Sequence, residues 1–263
     1  MTLAAPWRHP MKALRAPEML RRLGRAWLWA ALALAGASTA VRAAPFQDDM
    51  AQRTLACIAC HGEQGRAGPD GYYPRLAGKP AGYLYHQLLN FRDGRRHYGL
   101  MTRLVDVLSD DYLMDIARHF AAMQVPYPPP APPASPPPAD VLARGRTLAL
   151  QGDAGQRLPA CVQCHGQRLT GALPDVPGLL GLPQDYLTAQ LGGWRTGQRR
   201  AHAPDCMGSI VQRLSDRDAY AVVSWLALQP VPADARPAPE RPEPEAEWAD
   251  LKCGTAPAIR GRP

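Results

Sequence analysis

Apolar residues recur at helical spacing in several segments, and no stretch shows the sustained alternation of apolar and polar residues that marks a strand. The two clearest runs share the i, i+3, i+4, i+7 pattern: Leu113, Ile116, Ala117 and Phe120, and Ala219, Val222, Val223 and Leu226. Ser109 and Ser215 precede these runs, and each is followed by Asp, as at a capped helix N-terminus. The pattern therefore predicts an all-α protein.

The chain contains two similar halves, so most helices are predicted twice. A middle helix over 83–91 matches one over 186–194 at an offset of 103 residues, and both contain Tyr-Leu, Gln-Leu and aromatic-Arg pairs. Leu100-Met101 matches Cys206-Met207 at an offset of 106, so the second loop before this pair is longer. A first helix is expected over about 48–60 and about 140–151. Duplication is the simplest account.

Proline-rich segments separate and follow the halves. We place two domains at residues 44–125 and 139–229, joined by a linker over 126–138 that contains nine prolines. Such a run favours an extended, semi-rigid polyproline II spacer. Residues 230–263 form a second Pro-rich segment, which we expect to be an irregular tail.

The N-terminus has the pattern of an export signal. Arg21, Arg22 and Arg25 precede an apolar stretch over 26–37 that is too short to span a bilayer, and small residues follow. We expect a signal peptide over 1–43, cleaved before Ala44, and hence a periplasmic protein. An uncleaved membrane anchor, with peripheral attachment of the protein, is the alternative.

Removing the signal changes the charge of the protein. The full chain carries a formal net charge of +7, which would suit a nucleic-acid partner. Residues 1–43 hold seven of the 30 Lys and Arg residues and one of the 23 Asp and Glu residues. The 23 basic and 22 acidic residues that remain give a net charge of +1. We therefore expect no nucleic-acid partner.

The motif C-x-x-C-H occurs once in each half, each time followed by Gly. The first copy contains Cys57, Cys60 and His61, and the second contains Cys161, Cys164 and His165. This motif is the attachment signature of c-type haem, with two thioether bonds from the cysteines and the histidine as proximal iron ligand. We predict two covalently attached haem c groups. A zinc site would need four good ligands per site, and a thioredoxin-like site would need a βαβ context that is missing.

Each proximal imidazole needs a fixed acceptor for its second ring N–H, which orients the ring and increases its basicity. Pro74 and Pro177 fall where their backbone carbonyls can accept that hydrogen bond. His86 and His119 lie on predicted helices, where a surface or packing role is expected.

Met101 and Met207 occupy equivalent positions and are our candidates for the distal iron ligands. A thioether ligand favours ferrous iron and raises the reduction potential. We expect Met207 in a loop that folds over a haem face. Core packing is the alternative for either methionine. His97, His202 and Cys206 are other distal candidates, with the surface favoured for both histidines.

Two cysteines remain outside the haem motifs. Cys206 and Cys253 are an even pair in an exported chain, and we predict a disulfide that ties the tail to the loop before Met207. The alternative is that the Cys206 thiolate binds the iron, which would lower the potential.

These motifs resemble those of class I cytochromes c, and their tandem arrangement resembles the diheme cytochrome c4 family. The resemblance covers most of residues 46–228 and rests on four segments and their counterparts: 57–62, 74–78, 83–96 and 101–120. It implies two tandem class I cytochrome c domains, each around one covalently attached haem with His/Met ligation. It also implies a periplasmic electron carrier between a quinol-oxidising complex or dehydrogenase and a terminal oxidase.

The sequence departs from the family in its linker and its tail. The linker is longer than the family's usual connection, which argues against a tight interface between the haem domains. The tail with Cys253 has no obvious family counterpart.

Two other functions stay open at this point. A diheme enzyme that oxidises thiosulfate or reduces peroxide would have one open or thiolate-ligated haem, and an electron-accepting subunit would belong to a larger dehydrogenase or oxidase. Six arginines are expected on a solvated basic face, or alternatively to steer an acidic partner: Arg92, Arg95, Arg96, Arg195, Arg199 and Arg200.

Overall fold

The structure is a computed structural model that describes residues 21, 24, 27, 48–68, 71–133, 135–243, 248 and 251–256. From residue 48 onward, both of the similar halves belong to one compact unit. The predicted signal peptide lies outside the described residues, apart from residues 21, 24 and 27, which are helical and exposed. Within the described part of the chain, no helix has the length and apolar character needed to cross a membrane.

The first half is built from five α-helices: α1 Met50–Arg53, α2 Leu55–His61, α3 Ala81–Arg92, α4 Gly99–Val105 and α5 Asp110–Ala121. A 3₁₀ turn, Glu63–Gly65, follows α2. The single helix expected over 48–60 is interrupted at Thr54. The buried Thr54 hydroxyl donates to the Met50 carbonyl at 2.7 Å, and this local bond competes with a continuous helix.

The second half repeats this order: α6 Ala139–Leu150, α7 Val162–His165, α8 Gln184–Arg195, α9 Cys206–Arg213 and α10 Asp216–Ala227. A 3₁₀ turn, Ala154–Gln156, lies between α6 and α7. Two short antiparallel strands, β1 Gly171–Ala172 and β2 Val176–Pro177, form a hairpin. Two-residue strands are too short to show an alternating pattern in the sequence.

Both predicted serine caps are confirmed. The Ser109 hydroxyl accepts from the Tyr112 amide at 3.3 Å, and the Ser215 hydroxyl accepts from the Asp218 amide at 3.0 Å. The predicted apolar face of α5 is buried at all four positions, whereas in α10 three positions are buried and Ala219 is half-buried. The helical periodicity therefore identified the core-facing sides of both helices.

Each half has its own apolar core. In the first half α3 packs on α5, and in the second α10 packs on both α6 and α8. The contact between α6 and α10 is close, because a Cβ at Gly145 would lie 2.1 Å from the Ala221 carbonyl oxygen. A larger residue at 145 would force these helices apart.

The Pro-rich linker is held against the first half. The buried Arg75 guanidinium donates to the backbone carbonyls of Val125 and Pro126, and it stacks on the Tyr127 ring at 3.8 Å. These contacts fix the start of the linker, and backbone and side-chain hydrogen bonds join the two halves directly. The expectation that a long linker argues against a tight interface was therefore wrong.

An ion pair of low exposure also joins α6 to α10. Arg144 Nε donates to Asp218 at 2.7 Å, and Arg144 Nη2 donates to Asp153 at 2.8 Å. The Asp218 side chain is only 9% exposed, and its hydrogen bond with Arg144 is the main cause that holds its pKa below the usual value. This stabilisation is therefore complete above the ordinary carboxyl pKa of about 3.9, and it is lost as pH falls through the lower folded value.

We expect Asp218→Asn to lower the free energy of unfolding of the holoprotein at pH 7 by about 1–3 kcal/mol. The difference from wild type should shrink below about pH 4. Denaturant titrations at several pH values measure both effects. Asp140→Asn is the matched control: it removes an exposed pair with Arg217, which is expected to contribute less than about 1 kcal/mol. Equal losses in the two variants would contradict the prediction.

Candidate haem-binding sites

The C-x-x-C-H segments lie on short helices. The first copy occupies the end of α2, and the second runs from Cys161 through α7. A helix places the two cysteines, three residues apart, on one face and carries the histidine to the helix end. His61 and His165 are 6% and 7% exposed, and all four motif cysteines are half-buried.

Both predicted acceptors for the proximal imidazoles are present. His61 Nδ1 lies 2.7 Å from the Pro74 carbonyl oxygen, and His165 Nδ1 lies 2.7 Å from that of Pro177. Nε2 of each ring is thereby directed to act as the metal ligand. Burial lowers the pKa of both histidines, which favours the neutral imidazole that binds a metal.

Three of the four motif thiols lack the electrostatics of a redox or zinc site. Burial raises the pKa of the Cys57 and Cys164 thiols, and it raises that of Cys161 to about 12. Reactive C-x-x-C sites lower the thiol pKa instead. No group of three or more His, Cys, Asp or Glu side chains among the described residues is arranged to hold a metal ion by itself. Burial therefore disfavours the thiolate forms of these three cysteines, whereas thioether attachment requires no thiolate.

In the second half, the proximal and distal candidates face one cavity of about 230 Å³, whose lining includes Cys161, Cys164, His165 and Met207. Met207 was predicted from the sequence to lie in a loop, but it lies in the first turn of α9. The reason is Asp205, whose carboxylate caps this helix by accepting from the Gly208 amide at 2.8 Å. Met101 lies in α4, and it packs with Cys57 against the core of the first half.

The other distal candidates differ in their surroundings. His97 is exposed, as expected. His202 is not on the open surface: it lines the same cavity, and its buried Nε2 has no hydrogen-bond partner among the described residues. Cys206 is bonded to Cys253, which confirms the predicted disulfide and leaves Cys206 no thiolate while it is oxidised. His86 also lines the cavity, 6.1 Å from the His202 ring.

The face of α3 that carries His86 was not identified from the sequence as part of a site, although its polar residues recur at helical spacing. Tyr83, His86, Gln87 and Asn90 follow helical spacing, and all four line the cavity of the second half. The two halves therefore build this cavity together.

A polar network at the same place joins the halves. The Arg96 guanidinium donates to Gln87 at 3.0 Å and to Gln190 at 2.6 Å. Arg199 donates to Gln190 at 2.6 Å and to Gln87 at 3.2 Å. Arg96 and Arg199 also pair as an antiparallel bridge, flanked by a hydrogen bond from the His97 amide to the Gln198 carbonyl. The offset of 103 relates the two arginines and the two glutamines, so the network has approximate two-fold symmetry.

The arginines of this network were wrongly assigned to a solvated basic face. Arg199 is only 7% exposed, and Arg96 is half-buried. Three others are ion-paired with Asp93, Asp110 or Asp216, namely Arg92, Arg95 and Arg195. Arg200 is exposed, as predicted. Steering by the whole set is therefore not supported.

Two arginines at the interface lack an acidic partner among the described residues. Neither Arg96 nor Arg199 has a carboxylate partner among the described residues, and the buried Lys79 lines the same cavity. Burial would raise the pKa of Tyr83, but the charges of Arg199, Arg96 and Lys79 outweigh it and lower this pKa to about 8. Buried cations require a counter-charge. The carboxylates of haem propionates fit that requirement, and the apolar wall fits the porphyrin.

Known proteins share this organisation, although no family model matches the chain. The chain is 37% identical over 175 residues to the thiosulfate dehydrogenase electron acceptor of Thiomonas intermedia (strain K12). This alignment covers 66% of this chain and 79% of that protein. It is 33% identical over 176 residues to the cytochrome c4 of Pseudomonas aeruginosa, with 66% and 84% covered.

Solved structures agree with the sequence comparison. Reduced recombinant cytochrome c4 from Pseudomonas stutzeri superposes with a TM-score of 0.57 and 30% identity, covering 67% of this chain and 94% of that one. The thiosulfate dehydrogenase TsdBA from Marichromatium purpuratum gives a TM-score of 0.56 and 35% identity. This match covers 70% of our chain but only 38% of that longer chain.

The fold and the two C-x-x-C-H sites, taken with these similarities, define a diheme class I cytochrome c. The chain belongs to the cytochrome c4 family. The predicted cofactors, two covalently attached haem c groups, are thereby confirmed. The protein is an electron-transfer protein and not itself an enzyme.

Proposed function

We propose that the protein is a periplasmic one-electron carrier that accepts electrons from a thiosulfate-oxidising dehydrogenase and delivers them to a terminal oxidase. The observation that carries this proposal is its similarity to two proteins named thiosulfate dehydrogenase electron acceptor, from Thiomonas intermedia and Stutzerimonas stutzeri, at 37% and 36% identity. The match to part of TsdBA supports the same donor.

Within this proposal the two halves hold their haems in the same way. Cys57 and Cys60 bind one haem by thioether bonds, and Cys161 and Cys164 bind the other. His61 and His165 are the proximal ligands, and Met101 and Met207 are the distal ligands. When bound, each haem supplies an iron couple that gains and loses one electron, with a potential raised by the methionine.

The residues around the cavity of the second half suit an electron carrier. A methionine on the distal side blocks access of small molecules to the iron, which an enzyme would need to keep open. The Cys206–Cys253 disulfide keeps the neighbouring thiol from competing with Met207. Arg96 and Arg199 hold the halves together, and Arg199 lines the cavity of the second half, where it would offer positive charge to haem propionates.

Two features support the periplasm. Residues 1–43 have the pattern of an export signal, and a structural disulfide persists in an oxidising compartment. The domain boundaries at 44–125 and 139–229 are part of this proposal, since each range contains one C-x-x-C-H segment and one candidate distal methionine.

We expect thiosulfate to reduce the ferric holoprotein only when a thiosulfate dehydrogenase is present, at a rate that rises with the dehydrogenase concentration. Stopped-flow absorbance of the ferrous haem bands measures this, and complete reduction should involve both haems. A quinol-oxidising complex supplied with quinol is the comparison donor. Reduction by thiosulfate alone would indicate an enzyme, and reduction by the quinol-oxidising complex only would contradict the proposed donor.

A further inference from the structure

The C-terminal tail is attached to the second half along much of its length. Here the tail means residues 230–256, of which 230–243, 248 and 251–256 are described. Ala238 pairs with β1: its amide donates to the Gly171 carbonyl at 2.9 Å, and its carbonyl accepts from the Leu173 amide at 2.8 Å. Further on, Arg241 forms an ion pair at 2.8 Å with Asp175, whose side chain is 9% exposed.

The tail then binds the segment directly before Met207. Cys253 is bonded to Cys206, and the Gly254 amide donates to the Pro204 carbonyl at 2.7 Å. The approach is so close that a Cβ at Gly254 would lie 2.3 Å from the Ala203 carbonyl oxygen. Only glycine fits there without moving the segment 202–206.

The end of the tail reaches the first half. The Ala256 amide donates to His86 Nε2 at 3.2 Å, and Ala256 is buried as a member of the first half's apolar core. The tail therefore spans from the hairpin of the second half, past the start of α9, to α3 of the first half.

Among the described residues, the tail makes no comparable attachment next to the candidate distal methionine of the first half. Leu100, which is equivalent to Cys206 by the offset of 106, is 52% exposed. The duplicated halves thus differ at the residue before the candidate distal methionine. In the second half this residue is held by a disulfide, and in the first half it is exposed.

We propose that the tail is a positioning element for the second haem site. By holding the segment 202–206, it fixes the first turn of α9 and therefore the position of the Met207 thioether. Through Ala256, the tail also fixes the position of this site relative to the first half. The reduction potential of the second haem then depends on the tail, whereas that of the first does not. This inference rests on the proposed ligand role of Met207, and it does not depend on which protein is the electron donor.

Two variants of the holoprotein test the proposal by different means. The double variant Cys206→Ser/Cys253→Ser removes the tether, and Gly254→Val keeps both cysteines but drives the tail from Ala203. We expect each variant to change the equilibrium constant for reduction of one haem at least tenfold, which is a shift of about 59 mV for a one-electron couple. The other haem should keep its potential.

Spectroelectrochemistry with magnetic circular dichroism measures both potentials and both ligand sets. Arg236→Ala is the matched control, because that side chain is 77% exposed and its bonds stay within the tail, to Asp234. Unchanged potentials in both test variants, equal shifts of the two haems, or an equal shift in Arg236→Ala would each overturn the proposal. Failure of the ligand assignment itself is recognised separately. Ferric iron bonded to methionine is expected to give a weak far-red absorption band, and this band would stay complete in Met207→Leu if Met207 were not a ligand.

Discussion

Replacing Met207 by Leu is expected to remove half of the weak far-red absorption of the ferric protein and to open one haem iron to cyanide. Leucine has nearly the volume of methionine, so the packing around α9 should change little. It has no thioether, however, and the distal position would lose its ligand. The potential of that haem should fall, because methionine ligation favours ferrous iron.

The internal duplication provides a counterpart and a control. Met101→Leu should have the same effect on the other haem, and the double variant should lose the whole far-red band. Met114 lies within α5 and packs against the core of the first half, so Met114→Leu should keep the whole far-red band and both reduction potentials. A full far-red band in Met207→Leu would show that another side chain, such as His202 in the same cavity, is the distal ligand.

Replacing Arg199 by Met is expected to destabilise the holoprotein and to lower its reduction potentials. If propionates are the counter-charge of this buried guanidinium, the variant leaves a buried carboxylate without its partner, at a cost of about 3–5 kcal/mol in the free energy of unfolding. Removing a nearby positive charge also favours the ferric state. Denaturant titration and spectroelectrochemistry measure the two effects.

The fall in the reduction potentials is the decisive observation. The variant also removes the hydrogen bonds from Arg199 to Gln190 and Gln87, and this loss alone would destabilise the protein. The neighbouring Arg200 is exposed, so Arg200→Met is the matched control and should change the free energy of unfolding by no more than about 0.5 kcal/mol. A stabilising Arg199→Met would show that the propionates are not paired with this side chain.

Local features of the site could be predicted from the sequence because they depend on neighbours along the chain. The serine caps of α5 and α10 require only a hydroxyl within three residues of the amide that it accepts from. The acceptors at Pro74 and Pro177 lie 13 and 12 residues beyond their histidines, in equivalent places of a repeated pattern. The Cys206–Cys253 pair could be suggested because only two cysteines remained outside the motifs.

Features that depend on distant residues were missed or misjudged. His86 and His202 are 116 residues apart in the chain, yet they line one cavity. Arg199 was predicted on a solvated basic face together with residues such as Arg200, yet it is only 7% exposed. Its burial results from the docking of α3 of the first half, which no local pattern reports.

Short segments of the sequence establish that two related helical halves each bind a haem, because attachment chemistry and helical periodicity depend on residues close together in the chain. How the halves differ and how they meet is visible only in the folded protein. Arg96 and Arg199 join a polar network between the halves. The tail passes from the second half to Ala256, which lies in the core of the first half. Burial and charge pairing between distant segments depend on the path of the whole chain, and only the folded molecule shows that path.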